Sequence, residues 1–253
     1  MQPLASRGAV VTGVSRRAGI GFSIARRLID AGAAVFVQSW TPHDEGHPWG
    51  PDPGGMAAVL EGLGGPPHLE LDLASAGAPA RLFDSAQARL GRVHILVANH
   101  ARSGHGGLET LTEDELDAFW AVNVRATLLL VKELADRHDG RPGGRVVMMT
   151  SGQHRGPMAT EIGYAVTKGA IQQATSTLAD AVVDLGITVN TVNPGPTDTG
   201  WPTPEVRAEV LAQMPFGRWG EPDDAARLIC WLCTDDARWI TGQVIDSEGG
   251  FRR

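Results

Sequence analysis

Tyrosine is almost absent from this 253-residue chain: there is one, Tyr164. Lysine is nearly as scarce, with only Lys132 and Lys168 among 22 Lys and Arg residues. Two cysteines cannot build a disulfide framework, which makes the cytoplasm the expected compartment. Basic residues fall short of the 29 acidic ones, for a net charge of −7, so the basic face that nucleic acid requires is not expected. The longest apolar runs, such as 128–131, fall far short of the roughly 20 residues of a membrane span. The N-terminus shows neither an apolar stretch nor a cleavage site, so no secretory signal is expected. What is present is an apolar fraction of 42% with 20% charged residues, enough to bury a sizeable core. That balance excludes disorder and collagen-like or fibrous architectures.

Two kinds of segment alternate along the chain. Short β-branched or apolar runs at 9–12, 34–38, 68–71, 94–97, 145–150, 188–193 and 243–245 read as buried strands. Segments with helical spacing lie between and after them, at 21–31, 79–90, 112–138, 164–185 and 222–233. Thr112 with Glu115 forms a capping box, Pro204 and Pro222 suit first-turn positions, and Gly32 and Gly186 sit where helices end. Strand–helix alternation of this kind specifies an α/β fold. The form expected is a doubly wound, Rossmann-type parallel β-sheet with helices on both faces, in a single domain over residues 1–253. The Pro/Gly-rich stretch 41–67 reads as a surface insertion after the second strand, with a short helix near 56–61. In such sheets ligands sit beyond the carboxyl ends of the strands, where strand order reverses.

The turn after the first strand runs Thr12-Gly13-Val14-Ser15-Arg16-Arg17-Ala18-Gly19-Ile20-Gly21 and enters a helix. Glycines there let the backbone turn tightly and approach a pyrophosphate, which the helix N-terminus holds by its amides and dipole. The end of the second strand reads Gln38-Ser39-Trp40, without the acid that binds a ribose 2′-hydroxyl. Arg16 and Arg17 are placed to meet a 2′-phosphate instead, which favours NADP over NAD; the plainer alternative is a solvated loop in an Arg-rich protein. Asp72 is either an acceptor for an adenine amino group or a turn residue.

The single tyrosine and one of the two lysines stand four apart at a helix start, on one face. A nearby ammonium is expected to lower the Tyr164 phenol pKa toward the working pH, fitting it to exchange a proton with a carbonyl or alcohol oxygen. Ser151, at the end of the fifth strand, can bring its hydroxyl to the same oxygen.

Together these motifs resemble the short-chain dehydrogenase/reductase family over essentially the whole chain. They are Thr12-Gly13…Gly19-Ile20-Gly21, Asp72, Asn99, Asn123, Ser151, Tyr164-x-x-x-Lys168 and Asn193-Pro194-Gly195. The resemblance implies a catalytic tetrad of Asn123, Ser151, Tyr164 and Lys168, with Asn123 holding a water beside the lysine. The nucleotide site it implies comprises Gly13, Ser15, Arg16, Arg17, Gly19, Ile20, Gly21, Trp40, Asp72, Leu73 and Asn99, with Tyr164, Lys168, Pro194, Gly195, Thr197 and Thr199 at the nicotinamide end. The segments 217–222 and 240–243 resemble most the 3-oxoacyl-[acyl-carrier-protein] reductase branch. NADPH-dependent reduction of a ketone, a 3-oxoacyl thioester or similar substrate, is the implied activity. The alternatives are the same chemistry on a free small-molecule or polyketide-like ketone and, remotely, a non-catalytic NADP-binding sensor. Family members also suggest a homotetramer or homodimer.

Three departures bear on this resemblance. The glycine turn is longer than the family's usual one, and Ala98, His100 and Ala101 flank Asn99 in place of the usual residues. An acyl carrier protein needs a basic docking surface, yet Leu185, Asp180 and Asp184 end the catalytic helix; Arg137, Arg141 and Arg145 remain as possible positive charge. For substrate contact, Gln153, His154 and Trp201 are candidates, with Met214 and Phe216 as further wall residues in the covering segment 196–220. No metal is expected: Cys230 and Cys233 read as packing, and His43, Asp44, Glu45 and His47 as an exposed polar loop.

Overall fold

The computed structural model describes residues 2–253. Seven parallel strands form one sheet in the order β3-β2-β1-β4-β5-β6-β7. They are β1 Gly8–Val11, β2 Ala34–Ser39, β3 His68–Glu70, β4 Ile95–Ala98, β5 Gly144–Met149, β6 Ile187–Asn193 and β7 Val244–Asp246. Alternate residues feed two cores. Ala9, Val11, Ile95, Val97, Val147 and Met149 face α1 (Ile20–Asp30) and α9 (Pro222–Leu232), packing with Ile24, Leu28 and Ile229. Val10, Leu96, Ala98, Val146 and Met148 face the opposite way, toward α4 (Ala78–Leu90), α6 (Thr127–Asp136) and α7 (Ile162–Val182). Period-two strands buried on both faces explain the near-continuous apolar runs in the sequence. Strand order reverses between β1 and β4, so the loops after these two strands open a crevice there.

Three elements differ from the expectation. The region 112–138 is not one helix: α5 (Glu113–Phe119) passes through a π-helical stretch, Trp120–Ala126, before α6 begins. Asn123 lies in that widened stretch, where its side chain bonds to groups outside the helix. The 41–67 stretch is not simply a surface insertion. It folds as α2 (Thr41–Glu45) and α3 (Gly55–Gly62), buries Val59 and Leu63 in the first core, and buries Asp44 and Asp52 against the glycine turn. A further helix, α8 (Pro204–Ala212), starts at Pro204 within the covering segment.

Candidate active site

A cavity of about 460 Å³ opens at the crevice. Gly13, Ser15, Arg16, Gly19, Ile20 and Gly21 line it from the glycine turn. Trp40 and the α2 residues His43 and Asp44 line it from one side, and Asp72, Leu73 and Asn99 from another. Ala101, Arg102, Ala118, Val122 and Thr199 continue the lining. Gly13 has φ +71°, and a Cβ there would stand 2.8 Å from the His100 Cα. A Cβ at Gly21 would stand 2.5 Å from the Gly13 carbonyl oxygen, so only glycine allows this turn to close on itself.

Side chains hold the turn in place. Asn99 donates from Nδ2 to the carbonyls of Thr12 and Gly13 at 3.0 and 3.1 Å. Gln38 accepts from the Gly13 amide at 3.0 Å and donates to the Leu71 carbonyl at 2.7 Å, which explains why glutamine can stand where an acid was sought. His100 must donate through Nε2 to the Val122 carbonyl (3.1 Å), since a carbonyl only accepts; Nδ1 then accepts from the Thr12 hydroxyl at 2.7 Å. Burial and the nearby Lys168 push its pKa down to about 4, so it is a neutral strut between β1 and the π-helical stretch.

The two arginines of the turn part company. Arg16 lines the cavity, with Nε 3.3 Å from the buried Asp44 carboxylate. Asp44 also accepts from the Ser15 hydroxyl and from Trp49 Nε1. Arg17 does not line the cavity, contrary to the expectation of a phosphate contact there. Its guanidinium and backbone amide are engaged by Asp52, at 2.7 Å from Nη2 to Oδ1 and 2.9 Å from the amide to Oδ2. The side-chain hydrogen bond from Arg17, helped by the Arg17 and Gly54 amides, holds the Asp52 carboxyl down at about 2. Reading 43–47 as an exposed polar loop missed Asp44, and reading 41–67 as a surface insertion missed Asp52. The signal was available: two arginines in one turn face two aspartates in one insertion.

Ser151, Tyr164 and Lys168 meet at the carboxyl end of β5. Ser151 follows that strand in extended conformation, and Tyr164 and Lys168 project from the first two turns of α7. The Ser151 side chain lies near enough to the Tyr164 phenol to act on its pKa. Lys168 is buried, donates to the Met149 carbonyl at 3.0 Å, and has its ammonium 5.5 Å from the Tyr164 ring centroid. The phenol pKa is not lowered as expected. Burial raises it, the nearby Glu161 carboxylate adds to the rise, and the Ser151 side chain only partly offsets both. Lys168 is itself pushed down to about 8 by burial. Asn123 does not present its amide to a water beside the lysine: Oδ1 accepts from the Arg102 amide at 2.7 Å, and Nδ2 donates to the Arg102 carbonyl and to Thr167 Oγ1.

A family model described as Enoyl-(Acyl carrier protein) reductase matches residues 13–252. Among curated relatives, Uncharacterized oxidoreductase YjdA of Bacillus subtilis (strain 168) is 40% identical over 247 residues, covering 97% of this chain and 96% of that protein. The chain belongs to the short-chain dehydrogenase/reductase family. The NADPH-dependent aldehyde reductase-like protein, chloroplastic, of Arabidopsis thaliana is 32% identical, over 98% of this chain and 95% of its own. Among solved structures, a short chain dehydrogenase from Burkholderia cenocepacia J2315 in complex with NADP superposes with a TM-score of 0.85 at 32% identity, covering 98% of each chain.

The remaining site candidates of this short-chain dehydrogenase/reductase, Thr199 apart, fall outside the cavity lining. Pro194, Gly195 and Thr197 form a closed turn after β6, Thr197 Oγ1 donating to the Gly195 carbonyl at 3.2 Å; Thr199, beyond it, reaches the cavity. Gln153 donates to Glu161 at 2.7 Å, and His154 Nδ1 accepts from Gln172 at 2.8 Å. Trp201 donates to the Thr197 carbonyl and packs edge-on against Trp219. Met214 and Phe216 do not make a common wall, for Met214 is buried and Phe216 is 76% exposed. The positive charge sought for a carrier protein is already spent. Arg137 pairs with Asp84 and Glu133, Arg141 with Asp139, and Arg145 is buried beside Asp235 at the amino end of β5.

Proposed function

We propose that this oxidoreductase reduces a free, small carbonyl compound to an alcohol, with Tyr164 as general acid and NADP(H) as cofactor. The observation that carries the reading is the convergence of Ser151, Tyr164 and Lys168 at one strand end beside a glycine-lined nucleotide cavity. The cavity fits the dinucleotide: Gly13, Gly19 and Gly21 line it where α1 starts, and Arg16 places a cation in its wall. When bound, NADPH supplies the hydride.

The chain's own residues handle the proton. A phenol raised by burial stays protonated at neutral pH, which is the form that donates to a carbonyl oxygen. The Ser151 hydroxyl donates a hydrogen bond to the same oxygen as charge develops there. The Lys168 ammonium, close over the Tyr164 ring, stabilises the phenolate left behind. Asn123 fixes the loop carrying Arg102 to α7 through Thr167, holding the cavity against the catalytic helix.

Free substrates are favoured over carrier-bound ones because Arg137, Arg141 and Arg145 are neutralised and Asp180 and Asp184 stand exposed at the end of α7. The aldehyde reductase among the relatives points the same way. The name of the matching family model is the reason to keep a 3-oxoacyl thioester in the substrate panel. NADPH oxidation at 340 nm is followed with aldehydes, free ketones and a 3-oxoacyl thioester, using wild type and Tyr164→Phe. Turnover of free carbonyls, lost in the variant, is the expected result. Turnover of the thioester alone would replace the substrate assignment, and equal rates in both proteins would sink the mechanism.

A further inference from the structure

We infer that Arg102 is a phosphate-binding residue of the nucleotide cavity, facing the glycine turn from the opposite wall and contacting the cofactor's diphosphate. The inference rests on the reading of this cavity as the dinucleotide site. Four charged groups line the cavity, and the three besides Arg102 have protein partners. Arg16 and Asp44 pair with each other, and Asp72 accepts the Ala74 amide at 2.8 Å. Among the described residues no carboxylate lies within ion-pairing distance of Arg102, and its buried Nε has no hydrogen-bond partner. A guanidinium carries donors in a planar fork, and one that lines a cavity without a carboxylate partner is suited to an anionic acceptor there.

The position of Arg102 is fixed before any ligand arrives. Asn123 grips its backbone at both the amide and the carbonyl, and the guanidinium rests 5.6 Å from the Phe119 ring centroid. Across the cavity, His43 is pushed down to about 4 by burial and then by His47, with Arg102 and Arg16 adding to the effect, so the two walls are near enough to feel each other's charge. The anion is assigned to the cofactor and not to a substrate acid because the lining includes Gly13, Ser15 and Gly19 but neither Ser151 nor Tyr164. Phosphate also matches the bidentate geometry of arginine.

The test is equilibrium binding of NADPH and of NADH to wild type, Arg102→Met and Arg102→Lys, read by quenching of protein fluorescence, with adenosine as a phosphate-free competitor and folding checked by circular dichroism. The expected result is a rise in Kd of roughly 10- to 100-fold for both dinucleotides in Arg102→Met. Arg102→Lys should recover part of the loss, and adenosine should compete as before. Loss confined to NADPH would overturn the diphosphate assignment, pointing to the 2′-phosphate instead. Unchanged Kd values for both dinucleotides would overturn the proposal, as would a matching loss of adenosine, which signals a collapsed cavity. A raised KM for anionic substrates with unaltered dinucleotide binding would also overturn it, assigning Arg102 to the substrate. Failure of the wild type to bind either dinucleotide would instead overturn the nucleotide reading on which the inference stands.

Discussion

Lys168 is 4% exposed, and its burial has opposite consequences for stability and for chemistry. A buried ammonium is penalised, so the folded-state pKa sits near 8 against 10.5 for a free lysine. Between those values the unfolded chain holds a proton that the folded chain has lost, and stability rises with pH through that window. Below about pH 8 both states are protonated and the penalty is fully present. We therefore expect the ligand-free wild type to gain stability relative to Lys168→Met as pH rises from about 8 to about 10, measured by thermal melts of both proteins. A constant difference in Tm across that range would show that the lysine is not held at a depressed pKa. The variant should at the same time lose turnover, because no ammonium remains to stabilise the Tyr164 phenolate. Tyr164→Phe should lower kcat by about 10²- to 10⁴-fold, the range typical of a lost general acid, while leaving the NADPH Kd within a few-fold of wild type. A comparable loss of NADPH binding would place Tyr164 in nucleotide binding rather than proton transfer.

Elements show which parts of the molecule were legible from sequence and which were not. The strands and the helices around 21–31, 79–90 and 222–233 were legible because each buries residues at a fixed period. The juxtaposition of Tyr164 and Lys168 was legible because they are rare residues that meet by local helix spacing alone. The π-helical stretch was not, since its cause is long-range: His100 and the Arg102 backbone engage Val122 and Asn123. The fate of Arg17 was hidden for the same reason, as Asp52 lies 35 residues away. That pairing makes α2 and the loop behind it a strap fastened to the glycine turn by Asp44 and Asp52. Asp52→Asn should loosen it. Hydrogen exchange at the Arg17 and Gly54 amides, both donors to Asp52, should quicken by roughly tenfold with global stability little changed. Because the folded Asp52 carboxyl is held near 2, the fastening is complete above about pH 4 and lost as pH falls toward 2. Exchange that ignores both the substitution and acid would mean the strap is held by other contacts.

At the scale of the whole molecule, two groups of exposed apolar side chains bear on assembly. Leu116 on α5 and Trp120 at the start of the π-helical stretch stand four apart, 39% and 49% exposed, and Val166 on α7, which packs against α5, is 57% exposed. The other group surrounds β7, which ends the sheet, and includes Trp239 at 94% and Val244 at 39%. Apolar groups clustered this way mark association surfaces, and a strand at a sheet edge carries unpaired backbone groups besides. One self-complementary face makes a dimer; two faces with separate two-fold axes close into a tetramer. We expect sedimentation velocity to give a tetramer for the wild type. Trp120→Glu places a charge in the helical face only, so it should leave dimers joined across β7, and a further Trp239→Glu should release monomers. The nucleotide cavity lies in the crevice after β1 and β4, so dimers should still bind NADPH. A monomeric wild type would refute the assembly, and monomers from Trp120→Glu alone would show that the β7 face does not hold subunits together by itself.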